Sequence, residues 1–191
     1  MSVRILALVG SLRADSFNRQ LAEAAVKHAP DGTDVAIFEG LADVPFYNED
    51  LDRPGDVPAP AQALRDAVRR ADALLLVTPE YNGTIPAALK NAIDWTSRPY
   101  QGGAIVDKPL AVVGTAGGRY GGAWAHEDAR KISRVAGAQV IDDIALSVPL
   151  AAERFAAAHP ADDGEVATAM PDILHTLAVA ARVTTEAPAE P

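Results

Sequence analysis

The stretch "VRILALVGSLRADSFNRQLAEAA", residues 3–25, passes from an apolar run through a polar turn into a helical pattern. The run from Val3 to Val9 is nearly continuous rather than alternating, which is how a strand reads when helices cover both faces of its sheet. Beyond the turn, Leu21, Ala22, Ala25, Val26 and Ala29 repeat on one helical face while Glu23 and Lys27 fall elsewhere. The same unit recurs along the chain. Apolar runs appear at "DVAIFEG" from Asp34, "ADALLLVT" from Ala71, "KPLAVVGT" from Lys108 and, more weakly, "AQVIDDIALSV" from Ala138. Helical patterns separate them: "PAQALRDAVRRA" from Pro60 to Ala71, and a helix that Thr84 is placed to cap, with Pro86 in its first turn and Leu89, Ala92, Ile93 and Thr96 along one side. A further helix is expected from about Ala123 to Val135, stopped by Gly137, and a last one after Pro171. Repeated β-α units joined by right-handed crossovers make a doubly wound α/β sheet, whose ligands sit beyond the carboxyl ends of the strands. The loops after Val9, Val77 and Gly114 are therefore the ones that carry function.

Composition narrows the classes. The 191 residues, 49% hydrophobic and 23% charged, suit one domain with a large core, expected over 1–183, with "TTEAPAEP" at 184–191 a disordered tail. A net charge of −9 offers no general attraction to nucleic acid or an acidic membrane surface. With no cysteine there is no disulfide, thiolate metal site or thiol nucleophile, which suits a reducing cytoplasm. The apolar run Ile5 to Val9 is too short for the core of a signal peptide, and nothing approaches the ~18 apolar residues of a membrane span. His28, His126, His159 and His175 show no paired spacing, and "HEDAR" at His126 lacks a second histidine, so surface histidines and no metal site are expected. Trp95 and Trp124 read as packing residues.

The first loop lacks both the G-x-G-x-x-G dinucleotide fingerprint and a Gly-Lys-Ser/Thr phosphate loop. It offers the hydroxyls of Ser11 and Ser16, the amide of Asn18, the forked cation of Arg13 and the N–H groups of a helix start, a set that suits phosphate. The same residues also read as an ordinary capped helix, with Ser16 or Asn18 as cap and Arg13 solvated. A small tyrosine phosphatase would need a cysteine here, and a receiver domain would need acidic residues where Gly10-Ser11 and Thr78-Pro79 stand. In the second loop Pro79 sets the chain direction, and Tyr81, Asn82 and Gly83 form a turn that could lie against a flat ligand; Glu80 and Tyr81 could equally serve a subunit contact. The third, "GTAGGRYGG" from Gly114 to Gly122, allows close backbone approach around Arg119 and Tyr120, and also reads as a flexible surface loop.

Together "GSLRADSFN", "PEYNGTIPAALKNAIDWTSRP" and "GTAGGRYGG" resemble the NADPH-dependent FMN reductases of flavodoxin-like fold, a family that includes quinone, chromate and azo-dye reductases. The resemblance spans roughly Val3 to Val148. It implies five parallel strands ordered 2-1-3-4-5 between two helix layers. It implies that Ser11, Arg13, Ser16, Asn18 and the backbone of Phe17 hold the FMN phosphate. Pro79, Glu80, Tyr81, Asn82 and Gly83 would border the isoalloxazine ring and ribityl chain. Ala116, Gly117, Gly118 and Arg119 would close its other edge, Ala116 standing where many relatives carry serine and Arg119 being the candidate cation. No catalytic side chain is implied, because the chemistry belongs to the flavin. NADPH or NADH would be the donor, a quinone, azo dye or metal oxyanion the acceptor, and a homodimer or homotetramer the assembly. An FMN-binding electron carrier reduced by a protein partner is the competing expectation.

Overall fold

The computed structural model describes residues 2–186. Five strands, β1 (Val3–Val9), β2 (Thr33–Ile37), β3 (Ala73–Val77), β4 (Pro109–Thr115) and β5 (Gln139–Val148), form one parallel sheet ordered β2-β1-β3-β4-β5. This is the flavodoxin-like order that the sequence resemblance implies. Both faces of the central strands are covered, so alternate residues enter two different cores. Ile5, Ala7, Val9, Leu75, Val77 and Val113 pack with α1 (Phe17–Lys27) and α6 (Gly164–Glu186). Leu6, Leu8, Leu74, Leu76, Leu110 and Val112 pack with α2 (Ala59–Arg70), α3 (Ala87–Thr96) and α4 (Ala123–Val135). Every residue of β3 and β4 is buried, which is why these runs carry no polar alternation.

Three local expectations are corrected. The last helix does not begin after Pro171: α6 starts at Gly164, where the Asp163 carboxylate accepts from the N–H groups of Glu165 and Val166. Val166 and Met170 before the proline and Ile173, Leu174 and Leu177 after it are all buried, so packing on the sheet holds one helix across the interruption. Helix α6 also carries the chain through Thr184 to Glu186, and the rest of the expected tail, 187–191, lies outside the described residues. Thr84 does not cap α3, which Pro86 enters without a side-chain cap; the Thr84 hydroxyl bonds the Asp128 carboxylate on α4. Asp142 and Asp143 lie within β5, where the register to β4 shifts between Leu110 and Val112 and the extra residues are accommodated.

The long second motif has structural work beyond its first turn. Asn91 Oδ1 accepts from Tyr47 N at 2.7 Å, Asn91 Nδ2 donates to Pro45 O at 2.9 Å, and Trp95 Nε1 donates to the same carbonyl at 2.7 Å. Trp95 is a fully buried packing residue that also anchors the segment after β2.

Candidate active site

The order β2-β1-β3 reverses the direction of winding between β1 and β3, opening a crevice at the carboxyl ends of these strands. A cleft of about 190 Å³ lies there, walled by Ser11, Arg13, Ser16, Phe17, Asn18, Pro79, Glu80, Tyr81, Thr115, Ala116, Gly117 and Ala151. Three loops distant in sequence thus meet at one concavity. Asn82, Gly83, Gly118 and Arg119, expected at the same site, stand outside this wall.

At the first loop, Ser16 is the N-cap of α1: its backbone is extended and its Oγ accepts from Asn18 N at 3.2 Å. That bond uses an acceptor lone pair and leaves the hydroxyl proton to donate. Among the described residues the N–H groups of Ser11, Leu12, Arg13 and Phe17 have no partner within the chain. The Arg13 guanidinium forms no ion pair among the described residues and stands 6.0 Å from the Phe17 ring centroid. Unpaired donors, a free cation and the positive end of a helix converge here.

Asn18 has a structural tie beside its expected part. Its Nδ2 donates to Thr115 O at 2.8 Å and its Oδ1 accepts from Thr115 N at 3.0 Å, so the buried amide ties α1 to β4 while Nδ2 keeps a second N–H. Thr115 in turn donates through Oγ1 to Val148 O at 2.8 Å, extending the tie to β5. Asn18 therefore both lines the cleft and fixes Thr115 in its wall.

At the second loop, Tyr81 and Thr84 pair through both backbone groups, and Asn82 and Gly83 both take the left-handed region with φ 54° and 79°. This is the Asn-Gly tight turn, and it aims the exposed Tyr81 along the cleft. At the third loop, Gly117 and Gly118 have open space where a Cβ would stand, and their N–H groups and that of Arg119 have no partner among the described residues. The Arg119 side chain is turned elsewhere, 4.6 Å from the Tyr120 ring centroid and bonded to its hydroxyl. The unpaired N–H groups of Gly117, Gly118 and Arg119 thus add to the Arg119 charge as the electropositive features of this loop.

Behind the third loop Gly114 is required by close approach: a Cβ there would stand 2.0 Å from Thr78 O and 2.6 Å from His126 Nε2. His126 is not a surface histidine. It is 2% exposed, and burial, helped by Arg130 and opposed by Thr78, pushes its pKa down to about 4, keeping the ring neutral. Thr115, Ala151 and His126 escaped sequence reasoning: the first two reach the cleft through strand register and the turn at Val148–Ala151, which no local spacing announces. Among the described residues no helix is long and apolar enough to cross a membrane.

A doubly wound sheet whose switch-point cleft joins an anion-ready helix start to two loops suited to a flat ring defines a mononucleotide-binding α/β protein. The model of the NADPH-dependent FMN reductase family matches residues 3–153, and the chain belongs to that family. It is 42% identical over 132 residues to a 2-hydroxy-1,4-benzoquinone reductase of Burkholderia sp, covering 69% of this chain and 70% of that one. It is 44% identical over 127 residues to a quinone reductase of Pseudomonas putida, covering 66% and 67%. Among solved structures, the flavoenzyme NAD(P)H:(acceptor) oxidoreductase FerB from Paracoccus denitrificans superposes with a TM-score of 0.83 at 30% identity, covering 95% of this chain and 98% of that one. The chain is accordingly an FMN-dependent oxidoreductase with NAD(P)H as electron donor. The residues present fit that cofactor: unpaired N–H groups, Ser16 and Arg13 suit a phosphate, and the Cβ-free space at Gly117 and Gly118 suits a ring edge.

Proposed function

We propose that this chain reduces quinones, drawing electrons from NAD(P)H through FMN seated in the cleft between the first, second and third loops. FMN, when bound, supplies the hydride-accepting and electron-donating chemistry. The protein supplies place and field. Ser11, Ser16, Arg13 and the N–H groups of the α1 start hold the phosphate, Pro79, Glu80, Tyr81, Asn82 and Gly83 border the ring, and the Ala116–Arg119 segment closes the opposite edge. Asn18 fixes Thr115 in the cleft wall and offers its second Nδ2–H to the phosphate. Unpaired N–H groups of Gly117 and Gly118 favour negative charge at that edge without reorganising. The open mouth, flanked by exposed Tyr81, Tyr120 and Trp124, admits small planar acceptors.

The observation that carries this reading is the convergence of Arg13, the unpaired α1 N–H groups and the Gly117 edge on one cleft. The reading takes the α/β unit from β1 to the end of α6 as one FMN-binding domain, extends the acceptors to azo dyes and metal oxyanions, and places a homodimer or homotetramer, built through α3 and its neighbours, in the cytoplasm. Purified protein given FMN and freed of excess should keep absorbance bands near ~370 and ~450 nm. These should bleach with NADPH or NADH without oxygen and return on adding a benzoquinone. Retained bands that bleach only with a reductase protein would overturn the reading in favour of a carrier. Light scattering that shows a monomer at micromolar concentration would remove the assembly.

A further inference from the structure

Gly122 leads into α4 in the left-handed region, φ 90°, and as glycine it has no side chain to cap the helix. The cap comes from another loop. Glu80 Oε2 accepts from Trp124 N at 3.1 Å and from Ala125 N at 3.2 Å. One turn further along α4, Asp128 takes the hydroxyl of Thr84. Between these ties the Trp124 ring lies beside Gly83, where an added Cβ would stand 3.9 Å from Cε3. The turn Tyr81–Thr84 is thus fastened to α4 at both ends, and below it Ser147 Oγ donates to Gly121 O at 3.1 Å.

We infer that Glu80 is a positioning residue of the cofactor cleft: its carboxylate locks the second loop to the third and so sets the spacing between the Tyr81 wall and the Gly117 wall. Glu80 is the one carboxylate among the residues walling the cleft. Left free, it would oppose negative charge arriving on a reduced cofactor. Held by two N–H groups at the positive end of α4, its charge is compensated where it stands. The loop-to-loop lock stands on the hydrogen bonds alone, while its consequence for the cofactor rests on the FMN reading above.

The test compares Glu80→Ala and Glu80→Gln with the parent chain in two measurements. Amide hydrogen exchange at Trp124 and Ala125, followed by NMR in the FMN-free protein, reads the lock directly. Affinity and reduction potential of bound FMN read its consequence. Glu80→Ala should speed exchange at both amides and weaken FMN, each by about tenfold. Glu80→Gln keeps an acceptor oxygen, so it should restore most of the protection and affinity, yet raise the reduction potential because a negative charge has left the cleft. Unchanged exchange in Glu80→Ala overturns the lock. Faster exchange with unaltered FMN affinity in Glu80→Ala, or a Glu80→Gln chain that binds FMN no better than Glu80→Ala does, overturns the positioning role. Should the parent chain bind no FMN, the function proposed above fails while the exchange data still decide the lock. If Glu80→Ala does not fold, Glu80→Asp, whose carboxylate is one methylene shorter, takes its place in both measurements.

Discussion

Arg13 carries an exposed guanidinium with no ion pair among the described residues, whereas Asn18, in the same polar stretch, is buried and committed to Thr115. Truncating them should therefore separate binding from folding. If Arg13 holds the phosphate as proposed, Arg13→Ala removes a charge-assisted hydrogen bond worth ~1.5–3 kcal/mol. FMN affinity, read by fluorescence titration, should fall tenfold to a hundredfold, with the unfolding midpoint of the FMN-free protein unchanged. Asn18→Ala instead strands the N–H and carbonyl of buried Thr115, at a cost of roughly 3 kcal/mol to the fold itself. Its urea midpoint should drop even without cofactor, and an Asn18→Ala protein of parental stability would refute the clamp. The two residues look alike in sequence, as polar members of one loop. What distinguishes them is where β4 passes, a tertiary fact that the loop does not contain.

At the scale of elements, the strands were legible because burial on both faces writes them as unbroken apolar runs, and α4 was legible from Ala123 to Val135 because Gly137, φ 98°, stops it. The site was legible in outline for a related reason: strand ends fix which loops meet, and the first, second and third loops do meet. The misread elements are those where tertiary packing outweighed a local signal. Pro171 is a strong break by itself, yet buried Val166, Met170, Leu174 and Leu177 keep α6 continuous across it. The helix there lacks one N–H and tolerates a ring against the preceding turn. Replacing Pro171 with alanine should then stabilise the protein, by about 1–3 kcal/mol, since a good helix former restores that bond in an already helical setting. Chemical unfolding would check it, and a lower midpoint in Pro171→Ala would mean that the proline fits its site without strain. Thr84 was misread for the same reason: its hydroxyl serves α4 across the cleft, not the helix that follows it.

At the scale of the whole molecule, His126 lies where α4 meets the sheet behind the cofactor cleft, against Thr78 of the second loop, Gly114 of β4 and Ser147 of β5. Burial is the main force holding its pKa down to about 4, with the charge of Arg130 adding to it. In the unfolded chain the ring takes a proton near its ordinary 6.5, while the folded protein refuses it until about pH 4. The sign follows from which state binds more protons. The stabilising difference is complete above pH 6.5, shrinks as pH falls through the window from 6.5 to 4, and is gone below it. With about 1.4 kcal/mol per pH unit, the whole effect is roughly 3 kcal/mol. The FMN-free protein should lose urea stability between pH 7 and pH 5 by more than its His126→Gln variant does. The carboxylates of Asp52 and Asp163, held low by Arg65 and Arg154, weaken the fold only at more acid pH, so the difference between the two chains isolates the imidazole. A direct reading comes from the His126 ring resonance, which should stay at its neutral position as pH is lowered to 5. A ring that titrates near 6.5 in the folded protein would show instead that water or motion reaches the space behind the third loop.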